Sequence, residues 1–263
     1  MSISEQMEQI FDAGALRPLA DAERSALAGI DLFCVLFSNR SGSTLLCDSL
    51  YRRGLPIPPQ VEILDPSLVA KVSQEAAIPT FTDYFVTAVL GWAKSGAVGF
   101  KAGAAQLAWL DELGYLGCFR SLRLLSTARR DKVAQAVSLY LAQQSGQWHA
   151  GMPASLAPEE VPYDAQGIAA ALETVTGMDA AIRDFAQQSG APLLELMYED
   201  LLERPDEVLT HCATYLDWAQ VPDADFQPAV PPLRRQATAI NARFRQRFLA
   251  ERSGGAVSPP ATR

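Results

Sequence analysis

Leu32-Phe33-Cys34-Val35-Leu36-Phe37 is an unbroken apolar run of strand length, and Ser38-Asn39-Arg40-Ser41-Gly42-Ser43-Thr44 follows it directly. A strand with no polar face has to be covered on both sides, the condition of a parallel sheet held between helical layers. Further strand-like runs over 98–100, 123–127 and 193–198 alternate with helical periodicity over 43–53, 81–94, 107–116, 132–144, 169–188 and 205–216. That alternation predicts an α/β chain, a three-layer parallel sheet with helical insertions. Gly54 is placed to end the first sheet helix, and Pro56–Pro59 predicts an extended loop. A Pro-rich joint over 228–232 precedes an arginine-rich amphipathic helix. No internal repeat divides the chain. The expectation is one domain over 1–252 and a disordered tail over 253–263.

Composition narrows the function classes. The chain of 263 residues is 49% hydrophobic and 20% charged, which excludes bulk disorder. A net charge of −8 argues against a nucleic-acid partner. The basic residues are nonetheless unusual: of 22, only Lys71, Lys94, Lys101 and Lys132 are lysines. Arginine's planar fork suits bidentate phosphate or sulfate recognition, although solvated helix faces account for the bias equally well. Cys34, Cys47, Cys118 and Cys212 contain no C-x-x-C pair and read as buried thiols. His149 and His211 are too few for a His-rich metal centre. No apolar run approaches the ~18 residues of a membrane span. Residues 1–14 lack the basic start and apolar core of a signal peptide, so the predicted location is cytoplasmic.

The loop after the first strand carries the chemistry. In open parallel sheets, ligands bind at the carboxyl ends of strands, where helix N-termini present free amides to an anion. Gly42 permits close backbone approach, Ser41, Ser43 and Thr44 add hydroxyls, and Arg40 adds fixed charge. The pattern is not G-x-x-x-x-G-K-[ST], which disfavours a GTPase or a common ATPase. An ordinary Ser/Thr helix cap is the plainer alternative. A second constellation pairs Arg130 with Ser138, about two helical turns apart after the third strand. These two could hold a second phosphate, or Arg130 could simply pair with Asp131.

In order along the chain, these segments resemble the bacterial trehalose sulfotransferase-like family of sulfotransferases that use 3′-phosphoadenosine 5′-phosphosulfate (PAPS). The first strand and Ser38–Thr44 resemble its 5′-phosphosulfate loop in the arginine-bearing form. Arg129-Arg130-Asp131-Lys132-Val133-Ala134-Gln135-Ala136-Val137-Ser138 resembles its 3′-phosphate segment, and Gln147-Trp148 follows as the family expects. Tyr198-Glu199-Asp200-Leu201 with Pro205 resembles a late strand-to-helix signature, and Arg234-Arg235-Gln236-Ala237-Thr238-Ala239-Ile240-Asn241 a C-terminal donor-binding segment. The resemblance implies the sulfotransferase fold with its P-loop-like phosphate loop. It implies PAPS as co-substrate, the bisphosphate PAP as product, and direct in-line transfer without a metal. Its donor-binding residues would be Arg40, Ser41, Gly42, Ser43, Thr44, Arg130, Ser138, Arg234, Arg235 and Gln236. The partner would be a small-molecule hydroxyl acceptor, a carbohydrate or a glycolipid or aminolipid head group; a homodimer is an open alternative to a monomer.

Sulfuryl transfer to an alcohol needs a donor clamp, charge relief at the leaving oxygen, and a base. Arg40 and the Gly42–Thr44 amides would relieve charge. The resemblance places a glutamate in the Pro-rich segment after the first helix, which makes Glu62 the candidate base; a surface acid is the plainer reading, and His149 is the alternative base. The eukaryotic arrangement of a histidine two residues after a strand-end lysine is absent, since Gly103 follows Lys101. Lys101 would touch substrate or donor, or be a solvated strand-end lysine. The apolar stretch from Pro79 to Trp92 would form the acceptor side, a subunit contact or plain core, and Trp109 and Trp148 are candidates for the pocket. Two rival readings are a P-loop-type kinase and a non-catalytic nucleotide-binding or interaction protein.

Overall fold

A computed structural model describes residues 2–11, 16–59, 62–148, 152, 154–219 and 239–253. In chain order its elements are α1 (Ile3–Phe11), α2 (Asp21–Ala28), β1 (Asp31–Leu36), α3 (Ser43–Arg52), α4 (Pro66–Glu75) and α5 (Phe81–Trp92). There follow β2 (Ala97–Ala102), α6 (Ala104–Glu112), β3 (Ser121–Ala128), α7 (Lys132–Ser145) and α8 (Ala165–Ser189). The last described are β4 (Leu193–Met197), α9 (Tyr198–Glu203), α10 (Pro205–Tyr215) and α11 (Ala239–Arg252). The four strands form one parallel sheet in the order β2-β1-β3-β4, the α/β architecture that the alternating pattern predicts.

Every residue of β1 from Leu32 to Leu36 is buried. Their side chains divide by the period of two. Leu32, Cys34 and Leu36 pack with Phe81 and Phe85 of α5, Leu107 of α6 and Phe185 of α8. Phe33 and Val35 face the other way, onto Leu46, Cys47 and Leu50 of α3 and onto Leu209 and Cys212 of α10. A third cluster joins α7, α8 and α11 through Leu139, Ile168, Phe244 and Phe248. The chain thus leaves β1 for one face, by α3, and leaves β3 for the other, by way of α7 to α8. Adjacent strands that send their chains to opposite faces open a crevice at their carboxyl ends.

Several boundaries differ from the sequence expectation. β2 reaches from Ala97 to Ala102 and so includes Lys101. The helix expected over 107–116 begins at Ala104, because the Gln106 side chain accepts the Gly103 amide at 2.8 Å and closes the first turn early. Helix α4 was not expected, although Asp65-Pro66 is a start signal: the Asp65 carboxylate accepts the Ser67 and Leu68 amides at 3.0 and 3.1 Å. Ser253, just past α11, donates its amide to Leu249 at 3.0 Å; residues 254–263 of the expected tail lie outside the described residues. Cys34, Cys47 and Cys212 are buried, and burial pushes the Cys47 and Cys212 thiols up to about 12. Cys118 is only partly buried, contrary to expectation. Among the described residues no helix is long and apolar enough to cross a membrane.

The N-terminal helices are fastened to the body by Arg17. Its guanidinium donates to Asp83 at 2.9 and 2.5 Å and to Glu23 at 2.8 and 2.5 Å. Those Arg17 bonds, with the Ala20 amide, hold the Glu23 carboxyl at about 2, against an ordinary value of 4.5. A depressed carboxylate contributes stability that is present above its unfolded value and is lost as pH falls through the folded one. Acid should therefore loosen this attachment between pH 4.5 and about 2. Thermal melts recorded across that range should show a steeper acid loss for the wild type than for Glu23→Gln, and parallel curves would mean the contact carries no linkage.

Candidate functional site

All four strands deliver polar groups to one edge of the sheet. After β1 the chain turns through Asn39 and Arg40, and Arg40 and Gly42 both take left-handed backbone angles, φ 63° and 102°. Gly42 is the N-cap of α3 and has no side chain to cap it, so the first-turn amides and the positive end of the helix dipole are left to an outside acceptor. The ring of Tyr198, at the start of α9, packs on Gly42: a Cβ there would lie 2.3 Å from Tyr198 Cδ2. The Arg129 guanidinium stacks on the same ring, 4.1 Å from its centroid.

Strand register explains how the loop is fixed. Val35 pairs with Lys101 on β2 and with Leu125 on β3, so Lys101 and Thr127 point to the face covered by α3. Thr127 Oγ1 shares a hydrogen bond with Ser41 Oγ at 2.9 Å, both groups buried. From α7, buried Gln135 donates to Ser38 Oγ at 3.0 Å and to the Asn39 carbonyl at 2.8 Å. Lys101 is 3% exposed, not a solvated strand-end lysine. Its ammonium donates to Thr44 Oγ1 and to Glu62 Oε1, each at 2.8 Å, and lies 5.3 Å above the Phe37 ring.

Glu62 reaches this point because its neighbours are anchored in the core. Ile63 and Leu64 are buried, and their carbonyls accept from Tyr84 Oη at 2.7 Å and Gln106 Nε2 at 3.0 Å. The Glu62 carbonyl itself accepts the Asp65 amide at 2.9 Å. Its side chain remains 30% exposed beside the loop.

Arg130 and Ser138 each have a separate protein partner. Ser138 Oγ accepts from Arg40 Nε at 3.0 Å, and Arg40 Nη1 donates to the Trp148 carbonyl at 2.5 Å. Burial, with the neighbouring Arg129 charge, lowers the pKa of Arg40. Arg130 lies at the same edge but is 53% exposed and donates to Asp200 at 2.6 Å. Asp131, the alternative partner for Arg130, instead caps α7 through the Ala134 amide and accepts from Arg245 of α11 at 2.5 Å. Asp200 also accepts from Arg204 at 2.7 Å, and these guanidinium bonds, Arg204's first, hold its carboxyl below the usual range. Arg40, Ser41, Gly42, Ser43, Thr44, Lys101, Glu62 and Ser138 are therefore brought together, with Arg130 at the rim. His149, Arg234, Arg235 and Gln236 lie outside the described residues.

Trp109 belongs to the core, its ring tilted against Phe81 at 4.7 Å between centroids, and not to the site. In the stretch from Pro79 to Trp92, Phe81, Tyr84, Phe85, Val86 and Val89 are core, while Leu90 and Trp92 are exposed. Sequence reasoning missed Thr127 and the packing role of Tyr198. A Ser126-Thr127 pair closing an apolar strand was the available signal for the first. The arrangement can bind an anion at the α3 terminus and place a carboxylate beside it. Among the described residues, no group of three or more His, Cys, Asp or Glu side chains could hold a metal ion.

The family model described as Stf0 sulphotransferase matches residues 115–251, just over half of the chain. No curated protein matches. Among solved structures, the chain is similar to the sulfotransferase domain from the Synechococcus PCC 7002 olefin synthase, at 17% identity, with 88% of this chain and 90% of that one covered and a TM-score of 0.48. It is similar also to a sulfotransferase from Alicyclobacillus acidocaldarius, at 17% identity over 83% of this chain and 94% of that one, with a TM-score of 0.43.

Gly42 has two independent requirements for glycine, its φ of 102° and the Tyr198 ring. Gly42→Ala should cost roughly 1–3 kcal/mol through strain and displacement of the ring. For a chain of this size that is a fall of several degrees in thermal midpoint, at about 2–4 °C per kcal/mol. An unchanged midpoint would mean the ring moves aside freely.

Proposed function

The chain belongs to the Stf0 sulphotransferase family, and on that premise we propose that it transfers a sulfuryl group from PAPS to the hydroxyl of a small acceptor, a carbohydrate or a glycolipid or aminolipid head group. The observation that carries this reading is the uncapped α3 terminus with Lys101, Thr44 and Glu62 joined beside it. The donor set fits an anion: the uncapped first-turn amides of α3, the hydroxyls of Ser43 and Thr44, and a half-buried guanidinium.

The donor supplies a sulfuryl group on a phosphate leaving group; the acceptor oxygen bonds to sulfur as the bridging S–O bond breaks and its electron pair stays on the phosphate. Gly42, Ser43 and Thr44 present the α3 amides to the 5′-phosphosulfate, and Arg40, braced by Ser138, adds charge where negative charge accumulates. Glu62 takes the proton of the acceptor hydroxyl. Arg130, at the exposed rim, binds the 3′-phosphate, exchanging its Asp200 partner for that anion. Arg234, Arg235 and Gln236 complete the donor site from the C-terminal segment.

Three experiments test the reading. PAP without magnesium should raise the thermal midpoint, by the equivalent of about 2.7 kcal/mol at a hundredfold excess over Kd; ATP with magnesium acting better would point to a kinase. Arg130→Ala should weaken PAP about ten- to a hundredfold while leaving adenosine 5′-phosphosulfate unaffected. Equal losses would make Arg130 structural. Glu62→Gln should lower turnover by ~10²–10⁴ with PAP affinity retained. Retained turnover would pass the role of base to His149, the next substitution to make.

A further inference from the structure

We infer that Lys101 is a positioning residue: its buried ammonium holds the Glu62 carboxylate at a fixed distance from the anion loop, and it contacts neither donor nor acceptor. This rests on the reading of Glu62 as base.

The geometry is a three-part link. Lys101 extends from β2 beneath α3, with its ammonium 2.8 Å from Glu62 Oε1 and 2.8 Å from Thr44 Oγ1. One atom therefore sets the separation of the two oxygens, which can be no more than twice that distance apart. Thr44 lies in the first turn of α3, whose amides form the anion site, so the base is referenced to the loop and not merely near it. Main-chain anchoring does the rest. Tyr84 and Gln106 hold the carbonyls of Ile63 and Leu64, leaving the Glu62 side-chain torsions as the freedom still to be removed. The Lys101 bond removes it, which is the condition for a near-attack arrangement.

The same facts argue against a direct ligand contact. At 3% exposure, with the Phe37 ring 5.3 Å from its ammonium, Lys101 faces protein and not the opening. Its two polar partners are protein oxygens. A buried ammonium is tolerable only with such partners, so turning toward a ligand would strand the charge or the carboxylate. Glu62, by contrast, has one oxygen on Lys101 and is 30% exposed, so it can meet an acceptor.

The test is a double-mutant cycle of Lys101→Met and Glu62→Gln, read by kcat, by KM for the donor, and by calorimetric affinity for PAP. Lys101→Met should lower kcat by roughly ten- to a hundredfold, with donor KM and PAP affinity within about threefold of wild type. Lys101→Arg, which keeps the charge and can reach the carboxylate, should recover much of the loss. In the Glu62→Gln background Lys101→Met should cost less than about threefold more, because its only route to the chemistry is already gone. Multiplying losses beside a disabled Glu62→Gln enzyme would overturn this inference alone, as would a fall in PAP affinity on Lys101→Met. Turnover by Glu62→Gln within about threefold of wild type would overturn the base assignment, and this inference with it. Should Lys101→Met fail to fold, Lys101→Gln carries the same comparison.

Discussion

Burial of both faces of β1 is the constraint on which the molecule depends. With Leu32, Cys34 and Leu36 committed to one core and Phe33 and Val35 to the other, the strand can present polar chain only at its ends. Its neighbours are held in parallel register, so their carboxyl ends emerge at the same edge. The helices that follow β1 and β3 occupy opposite faces, and the loops between strand and helix separate there instead of packing on each other. Ser38–Gly42, Lys101, Thr127, Arg129 and Tyr198 are neighbours because the apolar layers leave them nowhere else to go. Site chemistry is in this sense a by-product of how the hydrophobic residues are divided.

That division also decides what can be read from the chain alone. The β1 run and the loop after it are legible because each signal is local: apolar continuity for the strand, a Ser-Gly-Ser-Thr cluster for the helix start. The link from Lys101 to Glu62 is not local. It follows from Val35 and Lys101 sharing a register position, from α3 covering that face, and from Ile63 and Leu64 anchoring in the core. Ile63 and Leu64 are buried with their carbonyls bonded, so this stretch serves as an anchor for the glutamate. Arg40 and Ser138 illustrate the same limit. Both are legible as donor-site candidates, but nothing local in the sequence joins them: they meet because the left-handed turn at Arg40 brings its guanidinium to α7.

Charge makes a last demand on the fold. The chain carries a net −8, yet Arg40, Arg129, Arg130, Lys101 and the α3 dipole converge on one edge. At long range the acidic surface disfavours an anionic ligand, but charges beyond about 8 Å are largely screened at physiological ionic strength. Capture therefore has to be short-range and geometric, which suits arginines fixed by neutral acceptors such as Ser138 and the Trp148 carbonyl. Carboxylates are used selectively. Glu62 neutralises the buried Lys101, and Asp200 holds Arg130 and Arg204 at the exposed rim. Arg40, between the two, donates to Ser138 and to the Trp148 carbonyl, and burial, with the neighbouring Arg129 charge, lowers its pKa. A bound anion would relieve that repulsion at the point where the loop amides already converge. The charge of Arg129 beside Arg40 and the uncapped amides of α3 thus favour the same thing, a negative charge at this edge.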